Sequence, residues 1–499
     1  MSTDIYDLAV IGGGINGSGI AMDAALRRAK VILLERGDLA RGTSSASTKL
    51  IHGGLRYLEH YEFKLVRESL MERERLWQIA PHIIWPMRFV LPYQKGIRPR
   101  WLVRLGLFLY DHIGGRKRLP ATRNVDLTKD PAGAPLLPAF TTGFEYSDCW
   151  VDDARLVVLN ALDAAEHGAT IKTRAEVTRL QRQDGVWHIE IAGQGTVKAR
   201  AVANAAGPAV LNLLARTTSY QSDAQKRIRL VRGSHIVVAK MFDTPQAYFC
   251  QNPDGRIFFA IPYEDDFTLI GTTDADHEGS LDHVSATPDE ISYLCKSAGA
   301  YFKQKLTPDD VVYSFAGVRP LVDDGSGKPE AASRGYHFDV NVDASGQTPI
   351  LSVFGGKITT YRHLADNAVR KLSAYLPILA GNSRTGNTAL PGGDFPQDGA
   401  AALAGKLARE YPFLNAKLIN RLVRSYGTRA RRWLADASNI ADLGAHFGHG
   451  LYQSEVDYLV AQEWACCAED ILWRRTKLGL RFSDAERILL ENYISALSG

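Results

Sequence analysis

The stretch Asp7-Leu8-Ala9-Val10-Ile11-Gly12-Gly13-Gly14-Ile15-Asn16-Gly17 decides the fold of this chain. It begins with a short, mostly apolar run, which predicts a buried strand. The glycines that follow have G-x-G-x-x-G spacing, and a helix is predicted over about residues 14–28. A second apolar run over 31–34 ends at Glu35. Strand, glycine turn, helix and second strand form a βαβ unit, as in dinucleotide-binding folds.

Each glycine of this turn has a separate task in binding a dinucleotide. Gly12 permits the tight turn, Gly14 lets the backbone approach a pyrophosphate, and Gly17 lets the helix pack closely on the strand. The free N–H groups at the helix N-terminus attract the phosphates. Glu35 would accept hydrogen bonds from a ribose diol, and its charge disfavours the 2′-phosphate of NADP.

Two later strand–glycine–helix corners favour FAD over NAD. Residues 202–208 bring a strand to the turn Ala206-Gly207-Pro208, and residues 350–360 bring another to Gly355-Gly356-Lys357. Negative charge appears on a flavin when it is reduced, so a helix N-terminus and a lysine at the last corner would stabilise the reduced form. A nicotinamide enzyme has no need of this third corner.

Composition excludes several classes of protein. The 499 residues carry a net charge of +4, with 45% hydrophobic and 23% charged residues, which is typical of globular and not of disordered or fibrous chains. The length predicts two to four domains. The five cysteines form no C-x-x-C pair, which favours a reduced, cytoplasmic setting. We expect no secretory signal, no transmembrane helix and no metal centre.

Several motifs carry a family resemblance. The longest reads Ser44-Ser45-Ala46-Ser47-Thr48-Lys49-Leu50-Ile51-His52-Gly53-Gly54-Leu55-Arg56-Tyr57-Leu58. With segments 12–17, 144–155, 233–235, 271–274, 317–321 and 354–357, it resembles the FAD-dependent glycerol-3-phosphate dehydrogenase family, in particular its bacterial aerobic, respiratory type. The resemblance covers essentially the whole chain. It implies oxidation of sn-glycerol 3-phosphate to dihydroxyacetone phosphate by hydride transfer from C2 to N5 of FAD, with the electrons passed to a membrane quinone.

The resemblance also implies an α/β (α+β) fold like that of D-amino-acid oxidase. A Rossmann-like FAD domain (1–90, 150–225 and 340–385) would be interleaved with an antiparallel-sheet substrate domain (91–149 and 226–339). A C-terminal all-helical cap would cover residues 390–499. The segment 381–398, rich in Gly, Pro, Asn and Thr, is predicted to be the linker to this cap.

The residues expected to contact FAD lie at the three corners and in the hydroxyl-rich loop near residue 45. They are Gly12, Gly14, Ile15, Asn16, Gly17, Glu35, Thr43, Ser44, Ser45, Ser47, Lys49, Leu50, Val177, Ala206, Gly207, Gly356, Lys357, Ile358 and Thr359. Loop hydroxyls and backbone N–H groups are suitable donors to phosphates and to ribityl hydroxyls. The alternative for the loop is a merely flexible polar connection.

Substrate chemistry points to basic residues inside the resembling motifs. Charge-assisted donors suit a phosphate dianion, and we expect Arg319 and Arg56 to bind it, with Lys357 near the flavin and the substrate oxygens. A surface salt bridge is the alternative for either arginine.

The proton acceptor is left open between two histidines. An imidazole titrates near neutral pH, so His52 is the leading candidate and His235 the rival, although a buried histidine is often only structural. Tyr57 and Thr273 are weaker candidates for hydrogen bonds to the substrate.

Segment 97–118 is a candidate membrane contact. It holds six basic residues and one acid around an aromatic, leucine-rich core. Such a pattern suits an interfacial helix on anionic lipid, but a core helix with a basic rim is equally compatible. A quinone acceptor favours the first reading, with the protein cytoplasmic and peripherally bound to the inner face of the cytoplasmic membrane. A homodimer is left open.

Two other functions compete. An amine or amino-acid oxidase of the same fold would need one arginine for a carboxylate and no phosphate site. An RNA-binding flavoprotein would need a contiguous basic, aromatic surface. The C-terminal region from residue 390 has 13 basic and 13 acidic residues, and this balance argues against the second function, so we expect no nucleic-acid partner.

Overall fold

The computed structural model describes residues 5–94, 98–116, 118–218, 228–252, 254–322 and 335–498. The strands in these residues are β1 (Ile5–Ile11), β2 (Val31–Leu34), β3 (Leu50–Ile51), β4 (Ile84–Pro92), β5 (Arg123–Asp126), β6 (Thr142–Val151), β7 (Thr170–Lys172), β8 (Val177–Gln183), β9 (Val186–Ile191), β10 (Gly195–Asn204), β11 (Ile228–Ala239), β12 (Ala247–Gln251), β13 (Ile257–Tyr263), β14 (Phe267–Gly271), β15 (Ala275–Asp276), β16 (Val311–Val322), β17 (Tyr336–Asn341), β18 (Ile350–Gly355), β19 (His446–Gly448) and β20 (Leu451–Tyr452). The α-helices are α1 (Ile15–Leu26), α2 (Phe63–Ile79), α3 (Arg100–Ile113), α4 (Asp153–Glu166), α5 (Val210–Ala215), α6 (Pro288–Gly299), α7 (Tyr361–Leu372), α8 (Ala400–Glu410), α9 (Ala416–Tyr426), α10 (Arg431–Leu434), α11 (Gln453–Glu463) and α12 (Asp484–Ser498).

The first sheet is built on the βαβ unit predicted from the sequence. Its strand order is β17-β18-β10-β1-β2-β7, with β9 pairing β10 and β8. The pairs among β18, β10, β1, β2 and β7 are parallel. Helices α1, α4 and α7 bury their apolar sides in one core with this sheet. Parallel strands therefore bring the glycine corners after β1, β10 and β18 to one edge of the sheet.

The second sheet has the order β15-β11-β14-β13-β12-β4-β6-β3, with β16 pairing β11 and β5 pairing β6. Its pairs are antiparallel except β12 with β4, so the antiparallel block predicted over 228–275 is present. The register sets His235 of β11 opposite Phe315 of β16 and Gly271 of β14. The predicted fold class, two interleaved sheet domains with a C-terminal helical domain, is confirmed.

The C-terminal region corrects one prediction. It has its own apolar core, with most of its residues in helices, but β19 and β20 form an antiparallel pair and the region is not all-helical. Gly448 (φ +125°) and Gly450 (φ +78°) make the turn between the two strands. Short strands around glycines carry little hydrophobic periodicity, so this pair was not predicted.

Sheet membership crosses three of the predicted domain boundaries, and one of them lies within β6, whose residues 150 and 151 were assigned to the FAD domain although the strand belongs to the second sheet. Strand β4 belongs to the second sheet, although residues 84–90 were assigned to the FAD domain, and β17 belongs to the first sheet, although residues 336–339 were assigned to the substrate domain. The division of the chain into three domains stays a prediction. Among the described residues, no helix is both long and apolar enough to cross a bilayer.

Buried ion pairs join the C-terminal region to the rest of the chain. Asp38 accepts hydrogen bonds from Arg474 Nε at 2.5 Å and from Arg475 Nη1 at 2.7 Å. Arg155 of α4 pairs with Glu463 of α11, with Nη2 to Oε1 at 3.0 Å. Removing one partner from a buried pair typically costs about 3–5 kcal/mol. The C-terminal region is therefore fixed against the edge of the first sheet.

Candidate active site

The three glycine corners line one cavity of about 820 Å³. The first corner contributes Gly12 and residues 14–16, the second contributes Ala205 to Ala209, and the third contributes Gly355 to Thr359. The loop over 41–50 and strand β16 complete much of the wall. The convergence expected from the sequence is thus present in the structure.

The first two corners pack directly on one another. Gly12 has φ +113°, and a Cβ at this residue would collide with the carbonyl oxygen of Ala205. A Cβ on Gly17 would collide with the carbonyl oxygen of Gly12, so Gly17 packs behind the cavity and does not line it. Only glycine fits either position. The N-terminus of α1 opens on the cavity, where its amides suit phosphate groups.

Glu35 stands at the end of β2 and lines the cavity. Its carboxylate accepts hydrogen bonds from the amides of Gly13 at 2.6 Å and Gly37 at 2.7 Å. Burial raises the pKa of Glu35, and these two amides oppose the shift. Each carboxylate oxygen can accept more than one hydrogen bond, so the group retains capacity for a ribose hydroxyl.

The loop over residues 43–50 is tied down by its own side chains. Ser44 Oγ accepts from the amide of Ile15 at 3.0 Å, and Thr43 donates to the carbonyl of Val318 at 2.5 Å. Buried Asp153 accepts from the hydroxyl of Ser47 at 2.8 Å and from Nζ of Lys49 at 2.8 Å. Burial lowers the pKa of Lys49, against the effect of Asp153.

The loop is therefore held in place and is not a flexible connection. Ser47 and Lys49 line the cavity, but their polar groups are bound to Asp153 within the protein. Ser45, Leu50 and Val177 also line it. Direct contacts of all these residues with a cofactor stay predictions.

The two candidate histidines have different surroundings. His235 is 2% exposed, its ring stacks on Phe315 with centroids 4.9 Å apart, and its Nε2 lies 3.0 Å from Thr48 Oγ1. Burial, with Lys49 and Arg319 nearby, lowers the pKa of His235 to about 3. This imidazole is therefore neutral at physiological pH.

His52 is half-buried at the end of β3 and also lines the cavity. Its backbone N and O both lie 3.4 Å from the hydroxyl of Thr359, in the first turn after the third corner. Its ring meets Phe259 edge-on, with centroids 6.4 Å apart. The structure thus places the ring beside the third corner.

Arg319 and Lys357 bring positive charge to the cavity wall. Arg319 Nη2 pairs with Asp274 at 2.5 Å and donates to the carbonyl of Thr273 at 3.3 Å. Lys357 Nζ lies 3.7 Å from the ring centroid of Tyr57. All three predicted residues, Arg319, Lys357 and Tyr57, line the cavity.

Two predicted substrate residues lie outside the lining of this cavity, and their contact with substrate stays a prediction. Among the described residues lining the cavity, neither Arg56 nor Thr273 is found. Arg56 lies in the 3-10 turn Leu55–His60. The Thr273 hydroxyl is buried, donates to Glu290 at 2.9 Å and accepts from the amide of Ser234 at 2.9 Å. Glu290 also caps α6, so Thr273 serves the packing of that helix.

The sequence analysis did not predict that Thr272, the neighbour of Thr273, lines the cavity. Thr272 lines the cavity, and a Cβ on Gly233 would come within 2.7 Å of its hydroxyl and 2.8 Å of Arg319 Nη2. The glycine therefore makes room for both groups. The pair Thr272-Thr273 was visible in the sequence, but which threonine faces the cavity depends on the turn after β14.

Two further parts of the wall were also missed. Every residue of β16 from Tyr313 to Leu321 lines the cavity, and the sequence analysis had named Arg319 alone among them as a site residue. The C-terminal region adds Trp473 and Lys477, and no sequence signal pointed to them. Trp473 stacks on Tyr313, with centroids 4.0 Å apart.

Comparison with known proteins identifies the family. A family model described as FAD dependent oxidoreductase matches residues 7–362, and one described as the C-terminal domain of alpha-glycerophosphate oxidase matches residues 383–498. The chain belongs to the FAD dependent oxidoreductase family. The resemblance and the FAD cofactor inferred from the sequence are confirmed.

Individual relatives cover nearly the whole chain. It is 52% identical to the D-erythritol 1-phosphate dehydrogenase of Brucella abortus, over 96% of each chain. It is 50% identical to the glycerol-3-phosphate dehydrogenase of Pseudomonas aeruginosa, over 99% of this chain and 96% of that one. The structure of the glycerol-3-phosphate dehydrogenase from Bacillus halodurans complexed with FAD matches with a TM-score of 0.75 and 26% identity, over 99% of this chain and 95% of that one.

The cavity residues fit FAD. Asn16 donates from Nδ2 to the carbonyl of Gly355 at 3.2 Å, which joins the first corner to the third. Its buried Oδ1 has no hydrogen-bond partner among the described residues and is available to a bound group. Gly356 has φ +100°, and a Cβ there would come within 3.0 Å of Asn16. No group of three His, Cys, Asp or Glu side chains in the described chain could hold a metal ion.

Proposed function

We propose that this chain oxidises sn-glycerol 3-phosphate at C2 to dihydroxyacetone phosphate and passes the electrons to a membrane quinone. The observation that carries the proposal is that Arg319, Lys357 and His52 line the same cavity as the three glycine corners. The names of the relatives that act on glycerol 3-phosphate support the same substrate.

The cationic wall would bind the phosphate dianion. Among the described residues, the hydrogen bonds of Arg319 are all made by Nη2. The N–H groups on Nε and Nη1, which lie on different edges of the guanidinium, are therefore available for charge-assisted hydrogen bonds. Lys357 adds a second positive charge to the same cavity, next to Tyr57. A direct contact of Arg56 with the phosphate stays a prediction.

His52 is the residue proposed to take the hydroxyl proton. FAD, when bound, supplies the acceptor for the hydride that leaves C2. His52 lines the cavity, its backbone lies beside the third corner, and its imidazole would accept the proton of the C2 hydroxyl. The depressed pKa of His235 makes it a weak base, and its contact with Thr48 supports a role in shaping the wall.

D-Erythritol 1-phosphate is a second candidate substrate, because a relative named for it is 52% identical to this chain. It shares the terminal phosphate and has one more hydroxylated carbon. The ratio of kcat/KM for the two phosphates decides between them. Glycine and sarcosine serve as negative controls, and turnover with either one would favour an amino-acid or amine oxidase.

An anaerobic flavin-bleaching assay followed by reoxidation tests the electron acceptor. The bound flavin should bleach on addition of sn-glycerol 3-phosphate and recover its yellow colour with a quinone analogue faster than with air. Flavin that stays oxidised with both phosphates would refute the substrate class. Flavin that is reoxidised only by air would refute quinone as the electron acceptor but would not contradict the proposed substrate.

We also propose that α3 binds the anionic inner face of the cytoplasmic membrane. Its exposed side carries Trp101, which is 68% exposed, Leu105 at 46% and Phe108 at 50%, so it is not a core helix. Arg100 and Arg104 belong to the same helix, whereas Lys117 of the predicted segment lies outside the described residues. Aromatic and basic side chains together suit an anionic lipid surface.

Vesicle sedimentation tests the membrane contact. The variant Arg100→Gln/Arg104→Gln should bind phosphatidylglycerol vesicles several-fold more weakly than the unaltered protein, and its flavin should still bleach with substrate. Equal sedimentation of the two proteins would count against α3 as the lipid-binding element. The homodimer stays a prediction.

A further inference from the structure

A buried polar network holds the peptide that follows His52. The amide of Gly53 donates to the hydroxyl oxygen of Tyr110 at 2.7 Å. Tyr110 in turn donates to the carboxylate of Asp148, whose two oxygens lie 2.8 and 2.9 Å away. Arg73 Nη1 pairs with Asp148 at 2.6 Å. The three side chains come from α3, β6 and α2, so three separate elements meet at one peptide group.

The network is buried at a cost in desolvation. Tyr110, Asp148 and Arg73 are each 2% exposed. Burial raises the pKa of Asp148 to about 6, against the effects of Arg73 and the hydrogen bonds. Apolar residues of similar size often stabilise a fold as well as, or better than, a buried ion pair. We therefore expect the network to act mainly by fixing the position of the Gly53 peptide, and not by stabilising the fold.

Packing leaves the segment little room to shift. A Cβ on Gly53 would come within 2.5 Å of Leu70 Cδ2 and 2.8 Å of the Tyr110 ring. On the other side, the backbone of His52 contacts the hydroxyl of Thr359. His52 thus lies between two anchors, one in the third corner and one in the network.

We propose that Tyr110 is a positioning residue for His52. It fixes the peptide after His52 through its hydroxyl, and Asp148 and Arg73 fix that hydroxyl in turn. The proposal rests on the proposed function, in which His52 accepts the proton. A misplacement of about 1 Å in a catalytic group can cost as much as 100-fold in rate. No contact between Tyr110 and the substrate is required.

The test is Tyr110→Phe in the full-length, FAD-loaded enzyme. The substitution removes only the hydroxyl and keeps the ring. We expect the rate of anaerobic flavin bleaching at saturating sn-glycerol 3-phosphate to fall at least tenfold, with KM and FAD content within twofold of the unaltered enzyme. In the absence of substrate, hydrogen exchange in a peptide spanning residues 50–58 should become faster.

Tyr146→Phe is the matched control. Tyr146 is also 2% exposed, and its ring packs edge-on against Tyr110 with centroids 5.9 Å apart. Removal of its hydroxyl should change neither the bleaching rate nor the exchange. Asp148→Asn should shift both readouts in the same direction as Tyr110→Phe.

Three results would overturn the proposal. These are unchanged bleaching in Tyr110→Phe, unchanged exchange over residues 50–58, or a tenfold slower rate in the Tyr146→Phe control as well. Failure of the proposed function is a separate outcome, because it appears as absent bleaching in the unaltered enzyme. In that case the exchange measurement, which needs no substrate, still decides whether Tyr110 holds the segment.

Discussion

Replacement of Arg319 by alanine is the most direct test of the phosphate site. Arg319 lines the cavity, and its Nε and Nη1 N–H groups can donate to the dianion while Nη2 remains bound to Asp274. Arg319→Ala removes those donors. It also leaves Asp274, whose side chain is 8% exposed, without this cation and facing an incoming dianion.

The magnitude follows from two charge-assisted hydrogen bonds. Each contributes about 1.5–3 kcal/mol. The side chain of Arg319 is 30% exposed, so solvent screening places the total near the lower end, about 3–4 kcal/mol. At 1.4 kcal/mol for each factor of ten, kcat/KM should fall by ~10²–10³. Arg319→Lys, which keeps the charge and loses the fork, should recover only part of this loss.

The assay is anaerobic bleaching as a function of substrate concentration, with FAD content measured from the absorbance of the purified protein. We expect both variants to remain yellow and to lose affinity for sn-glycerol 3-phosphate. Loss of FAD together with an unchanged substrate affinity would refute the assignment. Asp274→Asn tests the direction of the charge effect, because removal of this negative charge should strengthen binding of the dianion.

Two further predictions concern histidines. His52→Gln should lower the bleaching rate by ~10²-fold, as expected when a general base is lost; a rate near that of the unaltered enzyme would contradict the role. Burial lowers the pKa of His82 from 6.5 to about 3, so below pH 6.5 only the unfolded state gains this proton, and stability falls as the pH falls toward 3. His82→Asn should reduce this fall by about 1.4 kcal/mol per pH unit, seen as a smaller decrease in Tm between pH 7 and pH 5, whereas an unchanged decrease would argue against a neutral buried His82.

The sequence predicted that the three glycine corners share one cavity, because each corner is built from local features. The glycine spacing, the strands on either side and the acid at residue 35 lie within one βαβ unit. Turn geometry and helix N-termini are properties of neighbouring residues, so they can be read from the order of residues alone. The remaining lining of the cavity was predicted less well. Arg56 lies in a resembling motif but outside the cavity wall, and Thr273 was chosen where Thr272 faces the cavity.

The sequence by itself therefore determined the fold class, the FAD-binding corners and the basic residues at the ends of strands, because each depends on the chain within a few residues. The tertiary structure alone decided which side chains share the cavity. Trp473 reaches it because buried ion pairs fix the C-terminal region against Asp38. His52 is fixed by Tyr110, 58 positions away along the chain. Contacts between distant segments depend on how whole elements pack, and no local pattern in the sequence records that packing.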